Sequence, residues 1–169
     1  MDVLQAIFTR RSIRKFTGEP ISNENMETLL RAGFSAPSAH NMQPWHFVVL
    51  KNPATLEYIA EAHPYAKMLP QAGCCIIVCG DEEVQKTKGL MVQDCSAAIQ
   101  NILLAAHGIG LGAVWCGLYP APELTKLLSV TIKLPEKIEP IGMIVVGHKT
   151  EDRATAERYD SGKIHYDQW

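Results

Sequence analysis

Residues 73–80, Gly-Cys-Cys-Ile-Ile-Val-Cys-Gly, form an apolar run with no polar side chain to mark a solvent face. A half-buried strand alternates apolar and polar side chains, because successive residues point to opposite faces of a sheet. A short run without that alternation predicts a central strand covered on both faces. Helices from the rest of the chain must then form two covering layers.

The flanking sequence supplies such helices. Asp2 is placed to cap a short helix reaching about Thr9, with Val3, Leu4, Ile7 and Phe8 on its apolar face. Ser22 is a second cap position. Met26, Leu29, Leu30 and Phe34 recur behind it at helical spacing, with Gly33 as the stop. Residues 45–51 read as a strand, and Pro53 opens a helix over Leu56, Ile59 and Ala60. Residues 92–107 make the longest predicted helix. Its Cys95, Ala98, Ile99, Ile102, Leu103 and Ala106 form a stripe wider than one sheet face requires, which leaves apolar surface for a dimer contact. Gly108, Gly110 and Gly112 stop that helix before a strand at about 113–116. Residues 122–128 read as a small helix and 141–147 as the last strand. Four to five strands interleaved with helices predict one α+β or α/β sandwich domain over residues 1–169. After Gly147 the chain turns polar, yet it closes on Ile164-His165-Tyr166-Asp167-Gln168-Trp169. Aromatic residues so near an end predict that residues 148–169 are an arm docked on a partner, such as a second subunit.

Charge and cysteine content exclude several classes. Sixteen basic against eighteen acidic residues leave a formal net charge of −2, too low for a general nucleic-acid binder. No apolar run reaches membrane-spanning length, and Met1-Asp2-Val3 lacks the layout of a secretory signal, so the expected location is cytoplasmic. Five cysteines cannot all pair, and no CxxC with companion histidines suggests a metal. They read as reduced core residues. Neither GxGxxG nor GxxxxGK[ST] occurs, so Rossmann and P-loop cofactor binding lack support; the glycines at 108–112 follow a helix instead of opening one.

Two segments carry chemistry that no core needs. Arg10-Arg11-Ser12-Ile13-Arg14-Lys15-Phe16 gathers four cations and a hydroxyl at the end of the first helix. Arginine's planar fork matches phosphate oxygens, and in an extended stretch Arg10, Ser12 and Arg14 share one face while Arg11 and Lys15 point elsewhere. Spacing alone favours a solvated basic turn over a phosphate site. The second segment, Pro37-Ser38-Ala39-His40-Asn41-Met42-Gln43-Pro44-Trp45, is a loop rich in donors and acceptors with a proline near each end. His40 has no carboxylate in the motif to orient it and reads as solvent-facing.

Together the two segments resemble the FMN-dependent nitroreductase family. An R-x-S-x-[RK]-x-F start, a P-S-x-x-N-x-Q-P-W loop and Lys67-Met68-Leu69 before an apolar strand occur in that family's order. So do Gly117 at a strand end and a closing pattern met by Gly147, Arg158, His165 and Trp169. The resemblance implies an α+β nitroreductase-like fold, a central mostly antiparallel sheet of four to five strands flanked by helices, and an intertwined homodimer with FMN at the interface. It implies cofactor contacts from Arg10 near the phosphate, Arg11, Ser12, and Arg14 near the pyrimidine edge of the ring. Pro37, Ser38, Ala39 and Asn41 resemble the loop that reaches the flavin from the other subunit. Lys67 resembles a second ring-edge cation. Cys116 and Gly117 stand where the family presents backbone N–H groups to the ring. Arg158, with Lys149 as a helper, resembles the C-terminal phosphate ligand.

The chain departs from the family pattern at Cys116, where relatives often carry an acidic residue, at His148, and at Pro64, where an asparagine is common. Residues 81–91 are also brief, which implies an open pocket. The activity implied is transfer of hydride from NADH or NADPH to nitroaromatic, quinone or similar electron-poor acceptors by a ping-pong route, with no side-chain acid or base required. Two other readings stand beside it. One is a flavin-binding or flavin-processing module with little NAD(P)H oxidase activity. The other is a binder of nucleic acid or an acidic protein through the basic patch at residues 10–15.

Overall fold

The computed structural model describes residues Met1–Trp169. The elements are α1 (Val3–Thr9), α2 (Asn23–Phe34), β1 (Trp45–Leu50), α3 (Pro53–Ala62), β2 (Cys74–Asp81), α4 (Lys88–Gly108), β3 (Gly112–Gly117), α5 (Pro122–Thr131) and β4 (Ile138–Gly147). The four strands form one antiparallel sheet in the order β1-β2-β4-β3. The fold class is therefore α+β, with all pairs antiparallel.

The apolar run is the strand its composition requires. Cys74, Ile76 and Val78 point into one core with α2 and α4; Cys75, Ile77 and Cys79 point into another with α3 and α5. Residues Cys74 to Gly80 of β2 are all buried. Both faces being dry leaves no position for a polar side chain, and burial of each large aliphatic residue contributes about 1.5–3 kcal/mol. All five cysteines are free and buried, and burial pushes the thiols of Cys74, Cys79 and Cys95 up to about 12.

Local chemistry explains most element boundaries. Asp2, Ser22 and Asn52 each accept a backbone N–H at the start of a helix, from Gln5, Asn25 and Thr55 respectively. Gly110, at φ +85°, turns the chain after α4. Three features depart from the periodicity. Helix α4 starts at Lys88, ahead of the expected position, with Thr87 at its N-cap making no side-chain bond to the first turn. Gly33 lies inside α2 instead of ending it: a Cβ there would come within 2.9 Å of both Ile102 Cδ1 and Phe47 Cζ. Strand β4 begins at Ile138 and runs through Pro140, which is tolerated inside the sheet because the register slips between Val78 and Cys79. Ile141 has no partner on β2 and turns into the α2/α4 core.

The wide stripe of α4 is also consumed within the chain. Cys95, Ala98, Ile99, Ile102, Leu103 and Ala106 are all buried against the sheet and α2. The unpartnered apolar surface lies on α1 instead. Only Ala6 of that helix is buried, whereas Val3 is 68% and Phe8 66% exposed, with Leu4 and Ile7 beside them. Residues 152–169 are exposed throughout, and Trp169 stacks on His165 with its outer face in solvent.

Candidate functional site

The basic segment is sewn to the sheet. Ile13 and Phe16 are buried in the α3/α5 core. Ser12 bridges Ala113 in parallel, and the Ile13 N–H donates to the Ala113 carbonyl at 3.0 Å. Beyond them, the Thr17 N–H donates to His148 O at 2.9 Å and the Thr150 N–H to Lys15 O at 3.1 Å. These bonds fix Arg10 and Arg14 at the two ends of a short extended stretch, and each opens into a different cavity.

The first cavity, about 710 Å³, is lined among others by Thr9, Arg10, Arg11, Ala156, Arg158 and Tyr159. Arg10 and Arg158 form no ion pair. The one carboxylate on this wall, Glu157, accepts the N–H groups of Arg158 and Tyr159 at 2.9 and 2.8 Å. Burial, then the charges of Arg11 and Arg158, hold the Arg10 guanidinium below its ordinary pKa. Crowded cations without a counter-charge cost free energy that a bound anion removes. Arg11 shares this cavity, contrary to the alternation expected of an extended stretch. Its donors are already engaged, by the carbonyls of Phe8 (3.1 Å), Arg10 (2.7 Å), Ala154 (3.3 Å) and Ala156 (3.3 Å). Arg11 thus ties the C-terminal segment to the end of α1.

His107 is a neighbour the sequence did not single out. Thr9 Oγ donates to Gln5 O at 2.6 Å, so it accepts from His107 Nε2–H at 2.8 Å. Burial, with the charges of Lys149 and Arg10, lowers the His107 pKa. Lys149 itself pairs with Asp152 and lines neither cavity.

The second cavity, about 590 Å³, includes Arg14, Tyr65, Lys67, Trp115, Cys116 and Gly117 on its wall. It lies against the edge of β3. Alternate residues of a strand turn their backbone groups to opposite sides. Ala113 gives its carbonyl to Ile13 on the open side, so Trp115 and Gly117 also face the open edge, while Cys116 faces β4 opposite Met143. Of the two backbone donors expected here, Gly117 N–H is the free one. Lys67 Nζ is steadied by the Glu61 carbonyl at 3.1 Å. The Cys116 thiol donates to Tyr65 O at 3.4 Å, and burial pushes its pKa up to about 11 despite nearby Arg14. A thiol of that kind carries little of the reactive thiolate near neutral pH and is held as a donor to Tyr65 O.

The polar loop stands apart from both cavities. His40, Asn41 and Gln43 all adopt positive φ (53°, 56° and 50°), a strain of about 1–3 kcal/mol per non-glycine residue. Local bonds hold the loop: Gln43 N–H donates to Ser38 Oγ at 3.0 Å, and Gln43 Nε2 donates to Asn41 Oδ1 at 3.0 Å. Buried Asp94 anchors it from α4, accepting the Ala39 N–H at 2.8 Å. Pro37, Asn41 and His40 are exposed, with Ser38 and Ala39 half-buried. One chain therefore carries two groups of expected cofactor residues that its own fold does not bring into one cavity.

The donor set fits FMN. An uncompensated arginine pair suits a phosphate, and a cation-edged cavity with a free backbone N–H suits a polar planar ring. Residues 10–14 connect the two.

Comparison with known proteins bears on the family and the fold. The model of the nitroreductase family matches residues 7–63 and 61–148. A Methanothermobacter thermautotrophicus protein, provisionally named NADH dehydrogenase/NAD(P)H nitroreductase, is 44% identical over 169 residues, covering 100% of this chain and 88% of its own length. A Bacteroides thetaiotaomicron structure of the same provisional name superposes with a TM-score of 0.94 at 43% identity, over 99% of this chain and 98% of that one. A Desulfovibrio desulfuricans structure, provisionally described as a nitroreductase in complex with FMN, gives a TM-score of 0.86 at 31% identity, over 100% and 98% of the two chains.

Proposed function

The chain belongs to the nitroreductase family, and on that footing we propose that it is a homodimeric FMN-dependent oxidoreductase. It draws hydride from NADH or NADPH and reduces nitroaromatic, quinone or related electron-poor acceptors by a ping-pong route. The observation that carries this reading is the pair of cavities at the two ends of residues 10–14. Arg10 and Arg158 bind the phosphate, with Arg11 bracing that wall. Ser12 lies between the cavities. Arg14 and Lys67 hold cations at the ring, where they favour negative charge. Gly117 directs its N–H from the strand edge to the ring, and Cys116 contributes packing and its bond to Tyr65. When bound, FMN supplies the two-electron chemistry, accepting hydride from the nicotinamide and delivering reducing equivalents to the acceptor.

Pro37, Ser38, Ala39 and Asn41 complete the site of the other subunit. Two observations support this assembly: the strained loop lines neither of the two cavities, and α1 and residues 152–169 leave apolar and aromatic side chains uncovered. The arm that begins at residue 148 is tied to its own chain through Lys15, Thr17 and Arg11, and its distal aromatic end packs on the partner.

The test is anaerobic addition of NADH or NADPH to the yellow holoprotein. Rapid bleaching, recovery of colour on adding a quinone, and parallel lines in double-reciprocal plots are expected. Intersecting lines would reject the ping-pong route. A yellow protein that never bleaches with either nicotinamide is instead a flavin-binding module.

A further inference from the structure

His63 is fully buried at the C-terminal end of α3, and the reading above gives it no task. Its ring lies between the two walls of the second cavity. Nδ1 accepts the Tyr65 N–H at 3.2 Å, so Nδ1 carries no proton; Nε2 carries it and donates to the Gly117 carbonyl at 3.1 Å. Only the neutral Nε2–H tautomer satisfies both partners. The His63 backbone is held too, donating from N–H to Ile59 O at 2.8 Å and accepting Ala66 N–H at 3.2 Å. A buried ring with both nitrogens engaged cannot exchange protons with a substrate. It can hold two chain segments in register.

Those two segments carry the ring-facing groups. On one side stand Tyr65 and Lys67; on the other, the end of β3 exposes Gly117 N–H at an edge with no neighbouring strand. Cys116 pairs with Met143 of β4, but the next peptide, which carries the Gly117 carbonyl, lies beyond the ladder and is free to fray unless something holds it. Gly117 has no side chain to do this, and nothing lies within 4 Å of where its Cβ would be.

We infer that His63 is a positioning residue that fixes the backbone of Gly117, and with it the direction of its N–H, by tying the carbonyl on the far side of that residue to the Tyr65 segment. The inference rests on the reading of this cavity as the flavin-ring site. Asparagine approximates the Nδ1 position and glutamine the Nε2 position, so the two variants separate the two bonds. In the holoprotein, His63→Gln keeps the donor to Gly117 and is expected to retain FMN within about threefold of the parent, with an unshifted visible spectrum. His63→Asn keeps only the Tyr65 bond. It is expected to weaken FMN about tenfold, as for loss of one buried hydrogen bond, and to shift the flavin bands. Long-range nitrogen–proton NMR should show protonated Nε2 and bare Nδ1 in the parent. Gln and Asn variants that match each other in affinity and spectrum would overturn the inference, as would the Nδ1–H tautomer. A parent chain that takes up no FMN would sink the cofactor reading instead, leaving the tautomer and Tyr65 amide exchange in the parent and both variants to judge the clamp.

Discussion

The two ends of the candidate site are built on opposite plans. Around Arg10 the wall is charge without compensation: Arg10 and Arg158 pair with no carboxylate, and part of the wall comes from an exposed C-terminal segment. Around Gly117 the wall is geometry: His63, Cys116 and Lys67 each spend a side chain on a backbone carbonyl of the same small region. Attraction at one end needs little precision, because a dianion is drawn to any crowd of cations. Positioning at the other end needs rigidity, because a ring displaced by an ångström loses its reacting geometry. Affinity and rate should therefore fail separately when the ends are damaged one at a time.

The largest effect expected is on affinity. Arg10→Ala removes the guanidinium least able to find another partner, and charge-assisted bonds to a buried anion are worth about 2–3 kcal/mol, or roughly 30- to 150-fold in dissociation constant. Flavin fluorescence on dilution of the holoprotein measures the loss directly. Arg10→Lys should recover only part of it, because an ammonium lacks the bidentate fork. Retention equal to the parent in Arg10→Ala would erase the contrast between the ends.

A smaller and different effect belongs to Arg14. Arg14→Gln keeps a polar side chain but removes the cation at the ring cavity. Stopped-flow bleaching by NADH or NADPH should slow by about tenfold, as expected for loss of one preorganised charge at a site of developing negative charge. FMN affinity should stay within about threefold. If affinity falls as far as in Arg10→Ala while the bleaching rate holds, Arg14 belongs to the anion end and the division has to be redrawn.

How far this division was legible in the sequence follows from what each residue must do. Residues 10–16 and 37–45 stood out because their chemistry is local: cations crowded together, or donors near fixed prolines, are visible in one dimension. The covered central strand was legible because burial on both faces erases alternation. His63 and Asp94 were not, since a lone polar residue beside a helix end or within a helix shows its partner only once distant segments meet, here Gly117 and Ala39. The uncovered apolar surface lies on α1 and not on α4, where the wide stripe predicts it, for a related reason. Val3, Leu4, Ile7 and Phe8 mark an apolar face, but periodicity does not say whether the chain itself covers that face. Gly33 looked like a helix stop because glycine usually is one; its packing against Ile102 and Phe47 is a tertiary fact.

The smallest effect expected concerns the five thiols, and it asks whether the geometric end is as closed as its bonds imply. A thiol with a pKa pushed up to about 11, as at Cys116, is only about one part in a thousand thiolate at pH 8, and the thiolate is the reactive form. Cys74, Cys79 and Cys95, near 12, are lower still by about tenfold. The sign is fixed: raising the pH increases labelling, and lowering it cannot. Iodoacetamide at pH 8 should therefore leave all five unmodified over an hour, as read by intact mass, and the first adduct at higher pH should map to Cys116. Cys116→Ser, which keeps a donor for Tyr65 O, should bleach within about twofold of the parent rate, since one neutral hydrogen bond is exchanged for another. Rapid labelling of Cys116 at pH 8 would mean that the Tyr65 wall swings away from β3 on its own. The ring end would then owe its order to the bound flavin, and both ends of the site would be held by the ligand instead of one.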